Sequence, residues 1–354
     1  MPWNVIVISP SANQNLSMYF FFRLLLFRLD PETAHQLTLH LIRLGAHQPI
    51  NLLLRSTYNA PAKPVQAFGL HFPNPVGLAA GYDKDGLAWR GLAALGFGHI
   101  EIGTVTPHPQ PGNPKPRVFR LVEDQAVINR LGFPGLGADV VAKRLRFHKN
   151  RQVIIGVNLG KNKDTTLENA ADDYMNLMRH FMPLADYLAI NVSSPNTAGL
   201  RRLQGRKMLE GLLGAISKER ENIAQGCRGR IPILVKLAPD LSDKELEDAL
   251  EVIVRTGMDG IIATNTTLAR AGLRSKQREE TGGLSGEPLR ARSMAVLRSV
   301  IKKLEGRLPV VSVGGIMSPE DARARLDAGA ALVQIYTGLV YAGPGLVKQI
   351  LQKL

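Results

Sequence analysis

The chain contains 354 residues, of which 45% are hydrophobic and 21% are charged, so it is a globular protein with room for one large domain or two ordinary ones. Its single cysteine, Cys227, excludes an intramolecular disulfide framework, an iron–sulfur cluster held by this chain's own cysteines and a cysteine-rich zinc site. The formal net charge of +14 fits a solvated basic surface, anionic ligands or an anionic membrane face. Nucleic acid is the least favoured partner because no nucleic-acid-binding motif occurs. We expect no metal site.

The N-terminal region begins with a polar segment and continues with two predicted helices. Residues 1–17 lack the basic n-region and a clear small-residue cleavage site of a signal peptide, so we expect a poorly ordered tail, with Met18 as an alternative start of the folded protein. The apolar stretch Tyr19 to Leu29 is too short to span a bilayer, which takes about 20 residues. Asp30-Pro31-Glu32 then predicts the N-terminus of a second helix, which Gly45 can end.

Two interpretations of these helices stay open at this point. They can pack on the main domain, or they can lie on a membrane with Arg23 and Arg28 near the lipid headgroups. We predict an N-terminal helical domain over residues 18–60. We place its boundary in the proline-bearing connector from Pro61 to Pro75, with short strands around Phe68–Phe72.

Over residues 61–354 the chain alternates between strand and helix patterns eight times, which indicates an α/β fold. Eight such units suit a (β/α)8 TIM barrel, for which about 250 residues are typical, better than a doubly wound sheet. The predicted strands are Val76–Gly81, His99–Thr106, Val153–Gly160, Tyr187–Ser194, Ile231–Pro239, Gly260–Thr267, Val310–Ile316 and Leu332–Leu339. Helix starts are predicted at the capping patterns Thr165/Glu168, Ser242/Glu245 and Ser318-Pro319-Glu320.

One connection is too long for a plain loop between a strand and a helix. The proline-rich stretch Pro107 to Pro116 is predicted to lead into a small hairpin. Its strands would be Val118–Leu121 and Ala126–Asn129, and it would cap the mouth of the barrel.

Polar side chains follow the C-terminal ends of the predicted strands, and these ends meet at one face of a barrel. In the segment Asn191–Thr197 they come directly after the apolar run Tyr187–Ile190. Asparagine is costly at a buried strand end unless a polar group binds there, although a local side-chain turn is the alternative. Lys236 lies within another apolar run, where a buried ammonium needs an ion pair or an anionic ligand.

Three glycine-bearing segments near the C-terminus have the composition of phosphate-binding loops. They are Gly282–Gly286, Gly314-Gly315 and Tyr336–Gly338. Glycines let backbone N–H groups approach phosphate oxygens, and barrels often bind phosphate after strands seven and eight. Because neither a dinucleotide fingerprint nor a P-loop occurs, a phosphorylated cofactor such as FMN is favoured over NAD.

Taken together, these residues resemble the dihydroorotate dehydrogenase family. The likeness runs from about Met18 to the C-terminus, and it rests on Ala80–Lys84, Ile128–Phe133, Gly156–Lys163, Asn191–Thr197, Lys236, Thr264–Thr266, Gly283–Gly286, Gly314-Gly315 and Tyr336-Thr337. The serine at position 194 and the N-terminal helices are similar to the membrane-associated class that uses a quinone, whereas the soluble class has cysteine as its base.

The resemblance implies that (S)-dihydroorotate is oxidised to orotate in pyrimidine (UMP) biosynthesis, with FMN as hydride acceptor and a membrane quinone as final electron acceptor. It implies Ser194 as the catalytic base, Thr197 as its proton relay and Phe133 as a gate. The implied substrate-binding residues are Lys84, Asn129, Arg130, Leu131, Gly132, Phe133, Asn191, Asn196, Asn265 and Thr266. The implied FMN-binding residues are Ala80, Gly81, Tyr82, Asp83, Lys84, Thr104, Asn158, Asn191, Lys236, Thr264, Gly286, Gly315, Tyr336 and Thr337.

The resemblance further implies that His35 lines a quinone-access tunnel, with a surface helix position as the alternative. We expect a monomeric peripheral membrane protein on the cytoplasmic face of a bacterial cell membrane. Two departures from the family pattern occur: Pro134-Gly135 follows Phe133, which predicts a different loop backbone there, and Tyr82 replaces the commoner Leu or Phe. The rival functions are another FMN barrel oxidoreductase and a catalytically inactive barrel that binds phosphate or a membrane surface.

Overall fold

The computed structural model describes residues 18–146, 153–224 and 230–354. The expected tail, residues 1–17, and the single cysteine, Cys227, lie outside the described residues.

Three helices precede the first strand: α1 (Met18–Leu26), α2 (Pro31–Leu44) and α3 (Ile50–Thr57). The first two are the predicted helices, and α3 was not predicted. The predicted start of α2 is confirmed, because the Asp30 carboxylate accepts hydrogen bonds from the N–H groups of Glu32 and Thr33 at 3.0 and 2.9 Å. Its end at Gly45 is confirmed as well. None of the described helices combines the length and the apolar character needed to cross a bilayer.

The rest of the chain forms a (β/α)8 TIM barrel, as predicted. A hairpin of β1 (Val65–Ala67) and β2 (Leu70–Phe72) comes first. The closed barrel then contains β3 (Val76–Leu78), β4 (His99–Val105), β7 (Ile154–Leu159), β8 (Tyr187–Asn191), β9 (Ile233–Leu237), β10 (Gly260–Ala263), β12 (Val310–Val313) and β13 (Leu332–Ile335). The helices outside it are α4 (Trp89–Ala93), α5 (Ala138–Leu145), α6 (Ala170–Phe181), α7 (Arg206–Ala224), α8 (Asp243–Arg255), α9 (Arg290–Leu304), α10 (Pro319–Asp327), α11 (Thr337–Ala342) and α12 (Leu346–Lys353).

All eight predicted barrel strands occur, but each ends before its predicted last residue, and the sixth, predicted to reach Thr267, ends at Ala263. The last predicted strand ran to Leu339, whereas β13 ends at Ile335 and α11 begins at Thr337. The pattern Thr165/Glu168 does not cap a helix, because α6 begins at Ala170. The other capping predictions are confirmed: the Ser242 box is formed with Glu245, and Ser318 caps α10 with Pro319 in its first turn.

The predicted hairpin is present as β5 (Val118–Leu121) and β6 (Ala126–Asn129), and it gains a third strand, β11 (Gly283–Gly286). In this sheet Gly286 is the register partner of Ala126, and Gly283 is that of Asn129. The segment predicted as the first phosphate loop is therefore mainly an edge strand. The three strands lie over the mouth of the barrel as a roof.

Two glycines shape the interior of the barrel. A Cβ atom on Gly77 would lie 2.0 Å from Nε2 of His99, and one on Gly156 would lie 2.1 Å from Cζ of Tyr187. Each glycine therefore makes room for a ring on a neighbouring strand. Phe72 of the first hairpin packs edge-on against His99, with ring centroids 5.4 Å apart, and closes the barrel at the end opposite the roof.

The His99 ring predicts a specific sensitivity to acid. Both ring nitrogens are buried without a hydrogen-bonding partner among the described residues, and burial lowers the pKa of His99 from 6.5 to about 3. Below pH 6.5 the unfolded chain takes up a proton that the folded chain cannot, so this part of the stability is present above pH 6.5 and is lost as the pH falls towards 3. Between pH 7 and pH 5, the unfolding free energy of the wild type should therefore fall by about 2 kcal/mol more than that of His99→Leu.

Urea unfolding at both pH values measures this effect. The matched control is His71→Leu, because His71 is exposed on β2 of the adjoining hairpin. Equal acid sensitivity in the wild type and in His99→Leu would contradict the prediction.

Candidate active site

A cavity of about 1010 Å³ lies at the C-terminal ends of the barrel strands, beneath the roof, and opens to solvent. Parallel strands deliver their following loops to this one face, so residues distant in sequence meet there. The predicted site residues on its wall are Ala80, Gly81, Lys84, Thr104, Asn129, Leu131, Gly132, Phe133, Asn191, Ser194, Asn196, Lys236, Thr264, Asn265, Thr266, Gly286, Gly315, Tyr336 and Thr337.

The other predicted site residues lie away from this wall. The Asp83 carboxylate accepts hydrogen bonds from the N–H groups of Leu87 and Ala88 at 2.7 and 2.8 Å, so it holds the loop after β3. The Arg130 side chain pairs with Glu280 at 2.6 Å. Thr197 is buried in the loop after β8. Asn158 lies beneath the cavity, where it donates to Glu101, and Tyr82 lines a second, neighbouring cavity.

Ser194 is buried beside the cavity, and its hydroxyl oxygen accepts a hydrogen bond from the Asn196 N–H at 3.3 Å. Among the described residues on the wall there is no aspartate, glutamate or histidine. The hydroxyl groups of Thr104 and Thr264 donate to neighbouring protein oxygens at 2.6 and 3.0 Å. The Ser194 hydroxyl donates to no acceptor among the described residues, so its proton is available to a bound molecule.

Four asparagines face the cavity, and two of them keep polar atoms available. The amide nitrogen of Asn196 donates to Oδ1 of Asn129 at 3.1 Å, which leaves the Asn196 oxygen and the Asn129 nitrogen for a ligand. Asn191 is more fully engaged, since its nitrogen donates to Thr104 and Asn158 and its oxygen accepts from Ser193. The pair Asn129 and Asn196 therefore offers one donor and one acceptor to a planar polar molecule.

Beneath the cavity, inside the barrel, a carboxylate that was not predicted organises a buried network. Oε1 of Glu101 accepts from Asn158 at 2.8 Å and lies 3.5 Å from the Lys236 ammonium. Oε2 accepts from Gln334 at 2.8 Å and from the Tyr187 hydroxyl at 3.2 Å. Lys236 therefore has an ion pair as well as a position on the cavity wall. The available signal was a charged residue in the middle of an apolar strand, which is expensive to bury alone.

The segment after β6 is fastened by one glutamine side chain. Nε2 of Gln110 donates to the carbonyls of Gly132 and Phe133 at 3.1 and 2.9 Å, and its Oε1 accepts from Asn162 and Lys163 at 2.9 Å. The backbones of Gln110 and Gly135 also exchange two hydrogen bonds of 3.0 Å. The unusual Pro134-Gly135 sequence is thus part of a defined loop, and this loop places Phe133 on the cavity wall.

A second cavity of about 820 Å³ lies between the N-terminal helices and the roof. It shares Lys84, Asn129, Leu131, Ser285 and Tyr336 with the first, so these residues form a common wall. His35 and Tyr82 both line it and pack edge-on, with ring centroids 4.9 Å apart. Burial lowers the pKa of His35 to about 3, which keeps the ring neutral near pH 7. Arg120, which was not predicted, also lines this cavity.

The donor set of the first cavity suits a phosphorylated, planar and polar group such as FMN. One end of the wall carries Gly286, Gly314, Gly315 and the start of α11 at Thr337. A Cβ atom on Gly315 would lie 2.3 Å from Cα of Arg290, so only glycine lets the backbone come this close. Elsewhere the wall carries polar side chains and the Lys236 ammonium. Burial is also the main cause that lowers the pKa of Lys84, and a carboxylate beside this ammonium would offset the desolvation.

Comparison with known proteins gave consistent results. The family model described as dihydroorotate dehydrogenase matches residues 64–354. A protein from Idiomarina loihiensis named dihydroorotate dehydrogenase (quinone) is 48% identical over 95% of this chain and 100% of its own length. One of the same name from Acidithiobacillus ferrooxidans is 51% identical over 95% of this chain and 94% of its own. A crystal structure of DHODH from Eimeria tenella in complex with ferulenol superposes with a TM-score of 0.81 at 40% identity, covering 92% of this chain and 90% of that one.

Proposed function

This chain belongs to the dihydroorotate dehydrogenase family, and from that premise we propose that it oxidises (S)-dihydroorotate to orotate in pyrimidine biosynthesis, with FMN as cofactor and a quinone as final electron acceptor. The observation that carries the proposal is the composition of the first cavity. Its wall combines the available Ser194 hydroxyl and asparagine amide groups with a glycine-lined part that suits an anion. No described acidic or histidine side chain competes with Ser194 on that wall.

The cofactor would be held by residues that already line or support the first cavity. Gly286, Gly315 and Thr337 would take the phosphate through backbone N–H groups and a hydroxyl. Lys236 would face the isoalloxazine and favour its reduced, anionic form. The remaining residues assigned to FMN are Ala80, Gly81, Tyr82, Asp83, Lys84, Thr104, Asn158, Asn191, Thr264 and Tyr336. When bound, FMN supplies the acceptor for the hydride that leaves C6 of the substrate.

The substrate would lie between Ser194 and the asparagine side chains. Asn129, Asn191, Asn196, Asn265 and Thr266 would hold its pyrimidine edge, and Lys84 would pair with its carboxylate. Arg130, Leu131 and Gly132 belong to the segment that bears the gate, Phe133. Ser194 would take the C5 proton and pass it on through Thr197 and water, because a serine is a poor base unless its proton is relayed. Loss of that proton and of the C6 hydride converts dihydroorotate into orotate.

The second cavity would admit the quinone to the common wall, past His35 and Ala34. The apolar side chains of Leu26, Phe27, Pro31 and Ala34 on its wall suit a quinone ring. Lys84 and Tyr336 lie between this cavity and Ser194. The two reactants would therefore reach the cofactor through separate entrances.

We also propose that residues 18–60 attach a monomer peripherally to the cytoplasmic face of a bacterial cell membrane. The supporting observation is an exposed apolar surface on all three N-terminal helices, formed by Phe21, Phe22, Leu24, Leu25, Leu37, Leu41, Leu44, Leu52 and Leu53. Glu32 of α2 is anchored to Arg117 by an ion pair of 2.7 Å, so the helices pack on the barrel and still keep this surface free. Such a surface suits the boundary between headgroups and acyl chains.

Anaerobic mixing with dihydroorotate tests the proposal, with the flavin band followed at about 450 nm. We expect bleaching by dihydroorotate and recovery on adding a ubiquinone analogue, but no recovery with NAD. Bleaching by dihydropyrimidines but not by dihydroorotate would favour another FMN barrel oxidoreductase. Purified protein without a flavin band would favour the inactive barrel.

The variant Ala34→Phe tests quinone access through the second cavity in the same bleaching and recovery experiment. Ala34 is buried on its wall, so a phenylalanine there would fill the passage. We expect unchanged bleaching by dihydroorotate and about tenfold slower recovery with the quinone, because the added ring would block the passage; a tenfold change in rate corresponds to about 1.4 kcal/mol. Gln36→Phe, on the exposed side of the same helix, is the matched control. Recovery at the wild-type rate in Ala34→Phe would contradict quinone access by this route.

A further inference from the structure

Arg325 is a buried cation directly behind the glycine turn Gly314-Gly315. It lies on α10 and is only 1% exposed, yet no ion pair joins it to an acidic residue in the described chain. The nearby carboxylate of Asp321 is engaged with the N–H groups of Met317 and Ser318 and with Arg290. A buried guanidinium without a counterion is expensive, so its positive charge calls for a compensating anion close by.

The contacts of Arg325 point at the wall of the first cavity. Its Nη2 donates to the carbonyl of Gly314 at 3.1 Å, to the Ser293 hydroxyl at 2.9 Å and to the carbonyl of Arg290 at 2.8 Å. Ser293 donates to the same Gly314 carbonyl at 2.8 Å. Nη1 of Arg325 is buried and has no hydrogen-bonding partner among the described residues.

These contacts fix the orientation of one peptide unit. The C=O and N–H groups of a trans peptide point in opposite directions. Because Arg325 and Ser293 hold the Gly314 carbonyl outside the barrel, the N–H of Gly315 points to the other side, where Gly314 and Gly315 line the cavity. The backbone of Arg290 packs closely against Gly315 and limits movement of this turn away from the cavity.

We propose that Arg325 is a positioning residue for the cofactor phosphate, which it serves without touching it. It orients the Gly315 N–H towards the phosphate, and its charge adds positive electrostatic potential from behind the Gly314-Gly315 backbone. This inference rests on the proposed function, since it assigns the anion that compensates Arg325 to the phosphate of FMN. The pKa of Arg325 is lowered by burial to about 10, which still leaves the guanidinium charged at neutral pH.

Comparing two flavins that differ only in the phosphate isolates this role. The full-length apoprotein is titrated with FMN and with riboflavin, and quenching of flavin fluorescence gives both dissociation constants. In Arg325→Met we expect the preference for FMN over riboflavin to fall about tenfold, because a buried charge is removed from the side of a dianion. Arg325→Lys should keep the preference within about threefold of the wild type, because the charge is kept.

Two further variants separate this role from general damage to the fold. Arg220→Met is the matched control, because Arg220 is equally buried but pairs with Asp259 at 2.6 Å, next to the N-terminal end of β10 and so at the other end of the barrel. It should leave the preference unchanged. If Arg325→Met does not fold, Arg325→Gln keeps a hydrogen-bond donor without the charge and should show the same loss.

The outcomes are distinct. Equal weakening of both flavins in Arg325→Met, or an unchanged preference, overturns the positioning role while the proposed function stands. A wild-type chain that binds riboflavin as tightly as FMN also overturns it. A wild-type chain that binds neither flavin contradicts the proposed function, and this inference falls with it.

Discussion

Replacing Ser194 by alanine is expected to slow the reduction of the flavin by dihydroorotate about 10²- to 10⁴-fold, the usual contribution of a positioned base. The reason is geometric: the wall of the first cavity presents this hydroxyl without an acidic or histidine side chain that could replace it among the described residues. FMN should stay bound, because the glycine end and Lys236 are untouched. Stopped-flow bleaching measures the rate, and the ratio of flavin to protein measures retention.

Ser194→Cys sharpens this test. A thiol, with an ordinary pKa near 8.5, ionises far more readily than an alcohol, so the cysteine variant should reduce the flavin faster than the alanine variant and gain rate at lower pH than the wild type. Reduction in Ser194→Ala within a few-fold of the wild-type rate would show that another group takes the proton.

Glu101→Leu is expected to lower the unfolding free energy by about 3–5 kcal/mol, the usual cost of removing one partner from a buried ion pair. The Lys236 ammonium would lose its only described carboxylate, and Asn158, Gln334 and the Tyr187 hydroxyl would each lose an acceptor. Urea unfolding without added flavin gives the value free of stabilisation by bound cofactor.

The double variant Glu101→Leu/Lys236→Met supplies the control for this prediction. Because it removes both charges, it should regain part of the stability that the single variant loses. Two outcomes would contradict this role of the ion pair: an unfolding free energy of Glu101→Leu within about 1 kcal/mol of the wild type, or a loss in the double variant, relative to the wild type, equal to the sum of the losses in the two single variants.

The barrel strands could be predicted because parallel strands buried on both faces appear as continuous apolar runs that end in polar residues. The same signal fails where an apolar run continues from a strand into the following helix. Ile335 ends β13 and Leu339 lies in α11, and hydrophobic periodicity over so few residues does not distinguish the two elements. Helix α3 was missed because Pro49 caps it without a side-chain hydrogen bond. The pattern at Thr165 was misleading because it occurs in a loop.

The strand-end residues of the site could be placed in one cavity because barrel topology alone brings strand ends together. Glu101, Gln334 and Tyr187 could not, because they lie before the C-terminal ends of their strands and meet only through closure of the barrel. Gln334 and Glu101 are 233 positions apart, and no local pattern links them. The role of Gln110 could not be predicted for a related reason. Its side chain joins Gly132, which follows β6, to Asn162, which follows β7.

The common wall between the two cavities would separate the two halves of the proposed reaction. Among the described residues, only Lys84, Asn129, Leu131, Ser285 and Tyr336 line both cavities, so we expect a substitution elsewhere in either cavity to affect one half of the proposed reaction. Half of the described residues that line the second cavity belong to α1, α2 and the roof strand β5, and none of these nine residues lines the first cavity. We therefore expect substitutions in these segments to change the use of the electron acceptor without changing the reduction of the flavin by dihydroorotate.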